Sequence, residues 1–344
     1  MSELRWDPLD RVWSLIATER GRRPTDFLPP PRKPVDRQRH PCPFCLIIAG
    51  HGPSTRIHER KVVVDRRVVD RVLVVANRFP ALSIESPTER RQVGPYDSIS
   101  GVGAHEVVLE TGQHDLPFRR FSAEQIAAVL LTWRDRVADL MRDRRVQHVQ
   151  VFQNDGPRAG ATLEHAHSQI VATPVRPPRL VRQLEAARSH WLEKERCLLC
   201  DILAYETADT SRRVAEDPSF FAFCPYASRH PFEVHIAPRR HSAHFTALSE
   251  DDALGLGRVM QKVMTALGAA LRDADMNICL TLAPSTQSFT RDRLGLEQLD
   301  LFWHWRLEIL PRVVSYGGYE LGSEIVINPT SPEDAALHLR TLLD

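Results

Sequence analysis

Two C-x-x-C pairs, Cys42–Cys45 and Cys197–Cys200, divide this 344-residue chain, and the same succession of segments follows each. In the first half, a run from His105 to His114 alternates like a strand and ends in a histidine; in the second half, the run from Phe232 to His241 does the same. Glu106 to His114 and Glu233 to His241 both span eight positions. Seven positions beyond each histidine, at Phe121 and Leu248, a helix signal opens. Ser122 precedes the apolar-periodic stretch Ile126–Trp133, and Ser249 precedes the stretch from Ala253 to Leu267. A serine that accepts a hydrogen bond from the first turn is a strong helix start. Short apolar strands come next, 149–152 and 278–282. Each half then supplies another histidine in strand-like sequence, His165 within 163–171 and His304 within 301–309.

Self-similarity at this scale marks one structural unit built twice. Strands and helices in this order predict an α+β fold, with an antiparallel sheet and helices in each half. The junction is expected near the helical stretch that starts at Leu180. This gives a first half of residues 1–185 and a second of 186–344.

A structural zinc site takes four tetrahedral nitrogen or sulfur ligands, and C-x-x-C supplies two of them. The repeat therefore predicts one set of Cys42, Cys45, His114 and His165, and another of Cys197, Cys200, His241 and His304, with one to two zinc ions per chain. The competing reading is a redox dithiol. The Pro-rich polar sequence ahead of Cys42, with no apolar strand before it, speaks against that. Four ligands per set also leave no open position for zinc to activate water.

If His165 and His304 are equivalent, His167 is matched by Arg306, so only the first half carries an imidazole there. Neutral imidazole can attack phosphorus and pass the phosphoryl group on. The segment just before it, Asn154 to Thr162 with Gly156, Gly160 and Ala161, is small and turn-forming. Its backbone N–H groups and hydroxyl can hold phosphoryl oxygens. It has neither Walker nor Rossmann spacing. His230, His235 and His244 are expected to face solvent or cap turns, and Cys224 and Cys279 to be packing residues.

Lys plus Arg number 45 against 44 Asp plus Glu, a formal charge of +1, so no bulk field draws the chain to nucleic acid or anionic lipid. Without a signal-like start or a long apolar run, the chain is expected to be cytoplasmic, with no membrane partner.

The run Asn154-x-Gly-x-x-x-Gly160-Ala161-Thr162-x-x-His165-x-His167-x-Gln169 resembles the active-site segment of the galactose-1-phosphate uridylyltransferase family, in the histidine-triad superfamily. Segments at 5–13 and 20–24, Cys42–Cys45, 76–82, 105–114, 304–311 and 317–322 are similar to that family in the same order. The resemblance implies two histidine-triad-like half-domains and a ping-pong reaction of carbohydrate (galactose) metabolism. A nucleotide sugar gives its nucleoside monophosphate to His167, and a hexose 1-phosphate then collects it. By position, Asn77, Arg78 and Phe79 would cradle base and ribose. Asn154, Gly160, Ala161, Thr162 and Gln169 would surround the α-phosphate, and Arg20 and Arg23 would meet the sugar phosphate. A homodimer is implied as well.

Where the galactose enzymes read His-Pro-His-Gly-Gln, this chain has His165-Ala-His167-Ser168-Gln169, nearer to the ADP-glucose phosphorylase branch. The alternative reading is therefore an ADP-sugar or dinucleoside-polyphosphate phosphorylase with inorganic phosphate as acceptor. A non-catalytic, zinc-stabilised nucleotide-binding protein is the remote third.

Overall fold

The computed structural model describes residues 2–20, 42–52, 54–287 and 294–343. In the first half the elements are β1 (Glu3–Asp7), β2 (Val12–Ile16), α1 (Pro43–Ile48), β3 (Arg56–Val64), β4 (Arg67–Ala76), β5 (Arg90–Val93), β6 (Tyr96–Ile99), β7 (Ala104–Leu109), α2 (Ala123–Leu140), β8 (His148–Asp155), β9 (His167–Thr173) and α3 (Pro178–Lys194). The second half adds α4 (Leu198–Asp209), β10 (Arg213–Glu216), β11 (Phe220–Phe223), β12 (Val234–Pro238), α5 (Glu250–Leu271), β13 (Met276–Thr281), α6 (Leu299–Phe302), β14 (Arg306–Pro311), α7 (Gly318–Ser323), β15 (Val326–Asn328) and α8 (Pro332–Thr341).

The α+β expectation holds, with one sheet serving both halves. Ten strands run in the order β10-β11-β12-β14-β13-β8-β9-β7-β4-β3, and every pairing between them is antiparallel. The halves meet where β8 pairs with β13, Asn154 opposite Asn277. That seam follows from composition: Val149, Val151, Ile278 and Leu280 are fully buried, so neither strand can stand as a free edge. β3 ends the sheet on the first-half side, where its Arg, Lys and Glu side chains suit an edge.

Helices α2 and α5 cover one face. Their serine caps behave as predicted: the Ser122 hydroxyl accepts from the Gln125 N–H, and Ser249 from the Asp252 N–H. Between helices and sheet lies a core that includes Val129, Trp133, Val151, Ile170, Met260, Ile278 and Leu307. Cutting one such side chain back to alanine costs about 2–5 kcal/mol. Gly257 lets α5 press directly on the backbone of Ala123, where any side chain would collide. A buried two-pronged ion pair ties α2 to β7, with Arg136 Nε and Nη2 at 2.8 and 2.7 Å from the Glu106 carboxylate.

Three expectations need correction. The strands carrying the histidines are shorter than the sequence suggests. β7 stops at Leu109 and β9 starts at His167, so His114 and His165 lie in the turns beyond. The Gly- and Pro-containing sequence before His165 keeps the chain out of the ladder until that point. Secondly, the matching eight-position spans do not mark equivalent glutamates. Glu106 pairs with Ile170 next to the Val107–Gln169 pair, whereas beside the His235–Glu308 pair it is Val234 that faces Ile309. The connection from strand to histidine is one residue shorter in the second half. Thirdly, His230 and His235 are buried rather than solvent-facing, held near Tyr316 and Glu233 respectively.

The hairpin β1–β2 belongs in sequence to the first half yet joins the second, because β15 adds to β2 in parallel. Arg5 fixes it there, with Nη1 2.9 Å from Glu333 Oε1. Among the described residues no helix is long and apolar enough to cross a membrane.

Candidate active site and Cys/His clusters

Each C-x-x-C opens a short helix, Cys42 capping α1 and Cys197 capping α4. The turns after β7 and before β9 bring two histidines to the first pair. Cys45 Sγ lies 3.3 Å from His114 Nδ1 and 3.6 Å from His165 Nδ1, and Cys42 Sγ lies 4.0 Å from His165 Nδ1. In the second half Cys200 Sγ is 3.3 Å from His241 Nδ1 and 3.4 Å from His304 Nδ1. All four donor atoms of each set lie within 4.8 Å of one another. Tetrahedral zinc with bonds of about 2.0–2.3 Å asks for donor separations of roughly 3.3–3.8 Å, and Cys45 and Cys200 already meet that range with their histidines.

Hydrogen bonding fixes two of the four imidazoles for that role. His165 Nε2 donates to the Thr111 carbonyl at 2.9 Å and His241 Nε2 to the Asp300 carbonyl at 2.7 Å. Each Nδ1 is therefore the bare, ligating nitrogen. Burial opposes ionisation of the Cys42 thiol, but the His165 contact and the N–H groups of Cys45 and Phe44 bring it down to about 6. Each cluster is thus a group of residues able to hold a metal ion.

His167 enters β9 beside the first cluster and faces a cavity of about 300 Å³, lined also by Asn154, Gly156, Ala161, Thr162 and His165. His167 Nδ1 lies 2.8 Å from the His165 carbonyl. A carbonyl only accepts, so Nδ1 carries the proton and Nε2 keeps its lone pair. Burial, first of all, lowers the affinity of the ring for a second proton. The Phe44 ring stands edge-on 5.0 Å from the imidazole and covers its flank. Such a group is a neutral nitrogen nucleophile held in one orientation.

Asn154 is itself fixed. Its Oδ1 accepts from Asn277 Nδ2 at 2.9 Å, and the same amide donates to the Ala159 carbonyl at 2.8 Å. The Asn154 Nδ2 is left to face Gly160, whose φ of +95° and missing side chain allow the loop to close against it. Gln169 turns away toward a second chain of contacts. Its Oε1 lies 2.8 Å from His105 Nε2, while His105 Nδ1 accepts from the Ala81 N–H at 3.2 Å. Asn77 lies against that ring at 3.0 Å and accepts the Phe79 N–H at 2.9 Å. Arg78 stacks over Phe79, which is 80% exposed. The predicted residues thus form two groups, the cavity around His167 and the Asn77–Phe79 turn, linked through His105. His105, Asn277 and Phe44 were not singled out by sequence; only their register reveals them. Arg20 closes a single helical turn, Thr18–Arg20, and Arg23 lies outside the described residues.

Beneath His167, on the helix-covered face, Trp133 Nε1 donates to the Ser168 hydroxyl at 2.7 Å. Gln153 Nε2 donates to Glu110 at 2.8 Å. Burial pushes the Glu110 carboxyl up to about 8. Between its ordinary value of 4.5 and that value, the unfolded chain sheds this proton while the folded one keeps it. Stability therefore falls as pH rises through that window. Glu110→Gln should remove the decline, so its gain in melting temperature over the parent grows from acid to mildly alkaline buffer. A gain that stayed constant with pH would contradict a neutral Glu110.

An imidazole with a free lone pair, a small-residue loop against it and a Cys/His cluster behind it are suited to group transfer at phosphorus. The sequence profile of the galactose-1-phosphate uridyl transferase N-terminal domain matches residues 2–177. The ADP-glucose phosphorylase of Arabidopsis thaliana is 30% identical over 352 residues, covering 98% of this chain and 92% of that protein. The galactose-1-phosphate uridylyltransferase of Thermotoga maritima is 29% identical, covering 99% of this chain and 98% of its own length. The Arabidopsis ADP-glucose phosphorylase solved with bound ADP-glucose superposes with a TM-score of 0.79 at 27% identity, over 99% of each chain. The chain belongs to the galactose-1-phosphate uridyl transferase family and is a nucleotidyltransferase.

Proposed function

We propose that this protein transfers a nucleoside monophosphate from a nucleotide sugar to a phosphate-bearing acceptor, through nucleotidyl-His167. The observation that carries this reading is the His167–His165 hydrogen bond, which makes Nε2 the lone-pair atom of a ring lining the cavity.

His167 Nε2 attacks the α-phosphorus, and a phosphorus–nitrogen bond forms. The bond from that phosphorus to the bridging oxygen breaks, and the sugar 1-phosphate leaves with the electron pair. A phosphate oxygen of the second substrate then attacks the same phosphorus and releases the imidazole. Two displacements replace one, and the ring ends as it began.

Asn154 Nδ2, the Thr162 hydroxyl and the Gln169 amide meet the α-phosphate oxygens, while Gly160 and Ala161 shape the loop around them, their N–H groups held by the Pro157 and Gly156 carbonyls. Asn77, Arg78 and Phe79 cradle base and ribose, and Arg20 and Arg23 serve the sugar phosphate. Both clusters hold zinc, which supplies no chemistry of its own here but braces the turns that carry His114, His165, His241 and His304. The catalytic half is 1–185 and the half without a nucleophile 186–344. The working assembly is a cytoplasmic homodimer, on the family resemblance.

Hexose 1-phosphate is the acceptor in the principal reading, as in the similar uridylyltransferases. A second reading, inorganic phosphate with an ADP-sugar, is favoured by the likeness to the phosphorylase that binds ADP-glucose. UDP-glucose and ADP-glucose, each supplied with galactose 1-phosphate or with phosphate, separate the two. Release of glucose 1-phosphate beyond one equivalent per chain that needs galactose 1-phosphate supports the first, and ADP formation with phosphate the second. Sustained release beyond one equivalent with neither acceptor present would overturn both.

A further inference from the structure

The second half repeats the first closely enough to locate its counterpart of the base cradle. Cys42, Phe44, Ile47 and Ile48 pack against Leu73, Val75, Val107 and Leu109. In the same spacing along the helix, Cys197, Leu199, Ile202 and Leu203 pack against Phe221, Phe223 and Ala237. The ladder rows agree. Val75 pairs with Val107, which pairs with Gln169; Phe223 pairs with His235, which pairs with Glu308. Val75 is followed two residues on by Asn77-Arg78-Phe79, and Phe223 is followed two residues on by Pro225-Tyr226-Ala227.

At that place lies a cavity of about 540 Å³, lined by Pro225, Tyr226 and Ala227 together with Trp6, Tyr205 and His235. It is the size of a small-molecule site. Trp6, Tyr205 and Tyr226 stand exposed, so flat apolar surfaces border it. His235 is 2% exposed. Its Nε2 donates to the Glu233 carboxylate at 2.9 Å, and its Nδ1 has no partner among the described residues. A neutral ring in that position presents a buried acceptor, and a buried acceptor left unmatched is costly.

The same surroundings refuse a phosphate. Where the first half has His167 and Gln169, the second has Arg306 and Glu308, joined at 2.8 Å. Arg179 closes that network onto Glu308 at 2.8 Å and Asp10 at 2.6 Å. Arg212, at the cavity wall, is held by Glu206 and Glu333. Asp7 adds a carboxyl group to the lining, one more acceptor where a phosphate would need donors.

We propose that this cavity is a second nucleoside pocket, binding an unphosphorylated nucleoside whose ring stacks on the aromatic border and whose amino or imino hydrogen meets His235 Nδ1. The assignment rests on the reading of Asn77–Phe79 as the base cradle of the catalytic half. Binding here leads to no reaction, because Arg306 is no nucleophile.

Adenosine, uridine, cytidine and guanosine are titrated into the full-length protein, alone and with the catalytic site saturated by nucleotide sugar. At least one nucleoside is expected to keep one site per chain that nucleotide sugar does not displace. Tyr205→Ala, at an exposed position, should weaken that site by roughly tenfold. His235→Leu should abolish it, and turnover should be unchanged in both. The proposal is overturned if no nucleoside binds under saturation, or if both variants retain full affinity. Asn77→Ala supplies the independent control. Normal turnover and KM in that variant, with the undisplaced nucleoside still bound, would remove the base-cradle reading and leave this pocket standing.

Discussion

Replacing His167 with asparagine should reduce nucleotide transfer by roughly 10⁴-fold or more, since removal of a covalent nucleophile commonly has effects of that order. The fold should survive, because the side chain borders a cavity and the replacement is smaller and polar. Among the described residues its ring bonds to the His165 carbonyl, an acceptor that an asparagine amide can also satisfy. The loss should therefore fall on kcat with little change in nucleotide-sugar binding. Steady-state exchange between a nucleotide sugar and labelled sugar 1-phosphate measures the first quantity, and equilibrium binding the second. A variant that bound normally and exchanged within tenfold of the parent would show that His167 forms no bond to phosphorus.

The second large effect belongs to the first Cys/His cluster. Cys45→Ser removes the sulfur that lies 3.3 Å from His114 Nδ1 and 3.6 Å from His165 Nδ1. Loss of a structural metal is among the few mechanisms that cost on the order of 4–5 kcal/mol. The damage should reach the active site as well, because the carbonyl that orients His167 is that of His165. Cys200→Ser makes the equivalent change in the second cluster, next to Arg306 instead of an imidazole. Both variants should bind one zinc fewer per chain and melt well below the parent, but only Cys45→Ser should also lose most of its turnover in the fraction that remains folded. Equal losses of activity would remove the distinction between the two clusters; full zinc content in either variant would remove its cluster altogether.

What sequence revealed and what it hid divide along physical lines. The Cys/His sets were legible because thiolate and imidazole pairs at fixed spacing have few other uses, and the duplicated order supplied each missing partner. Ser122 and Ser249 were legible because a helix cap is a local interaction. Strand ends were not. His114 and His165 look like strand residues by alternation, but ladder pairing decides the boundary, and that is set by distant chain. The same holds for β1 and β2, whose partner β15 lies some three hundred residues away in sequence. Buried polar groups were the least legible. His235 reads as a solvent-facing or capping residue and nothing in the sequence marks Glu110, yet in the packed structure one is tied to Glu233 and the other enclosed beneath β9. Arg306 was recognised as the residue standing in for the nucleophile, but its enclosure among Glu308, Arg179 and Asp10 needed the fold.

The most direct measurement is mass spectrometry of the protein after brief exposure to nucleotide sugar with no acceptor, handled under alkaline conditions that preserve phosphorus–nitrogen bonds. A peptide containing His167 should carry one nucleoside monophosphate on that ring, and adding the acceptor phosphate should discharge it. Continued turnover with no adduct at His167, or with the nucleotide on another residue, would contradict the account.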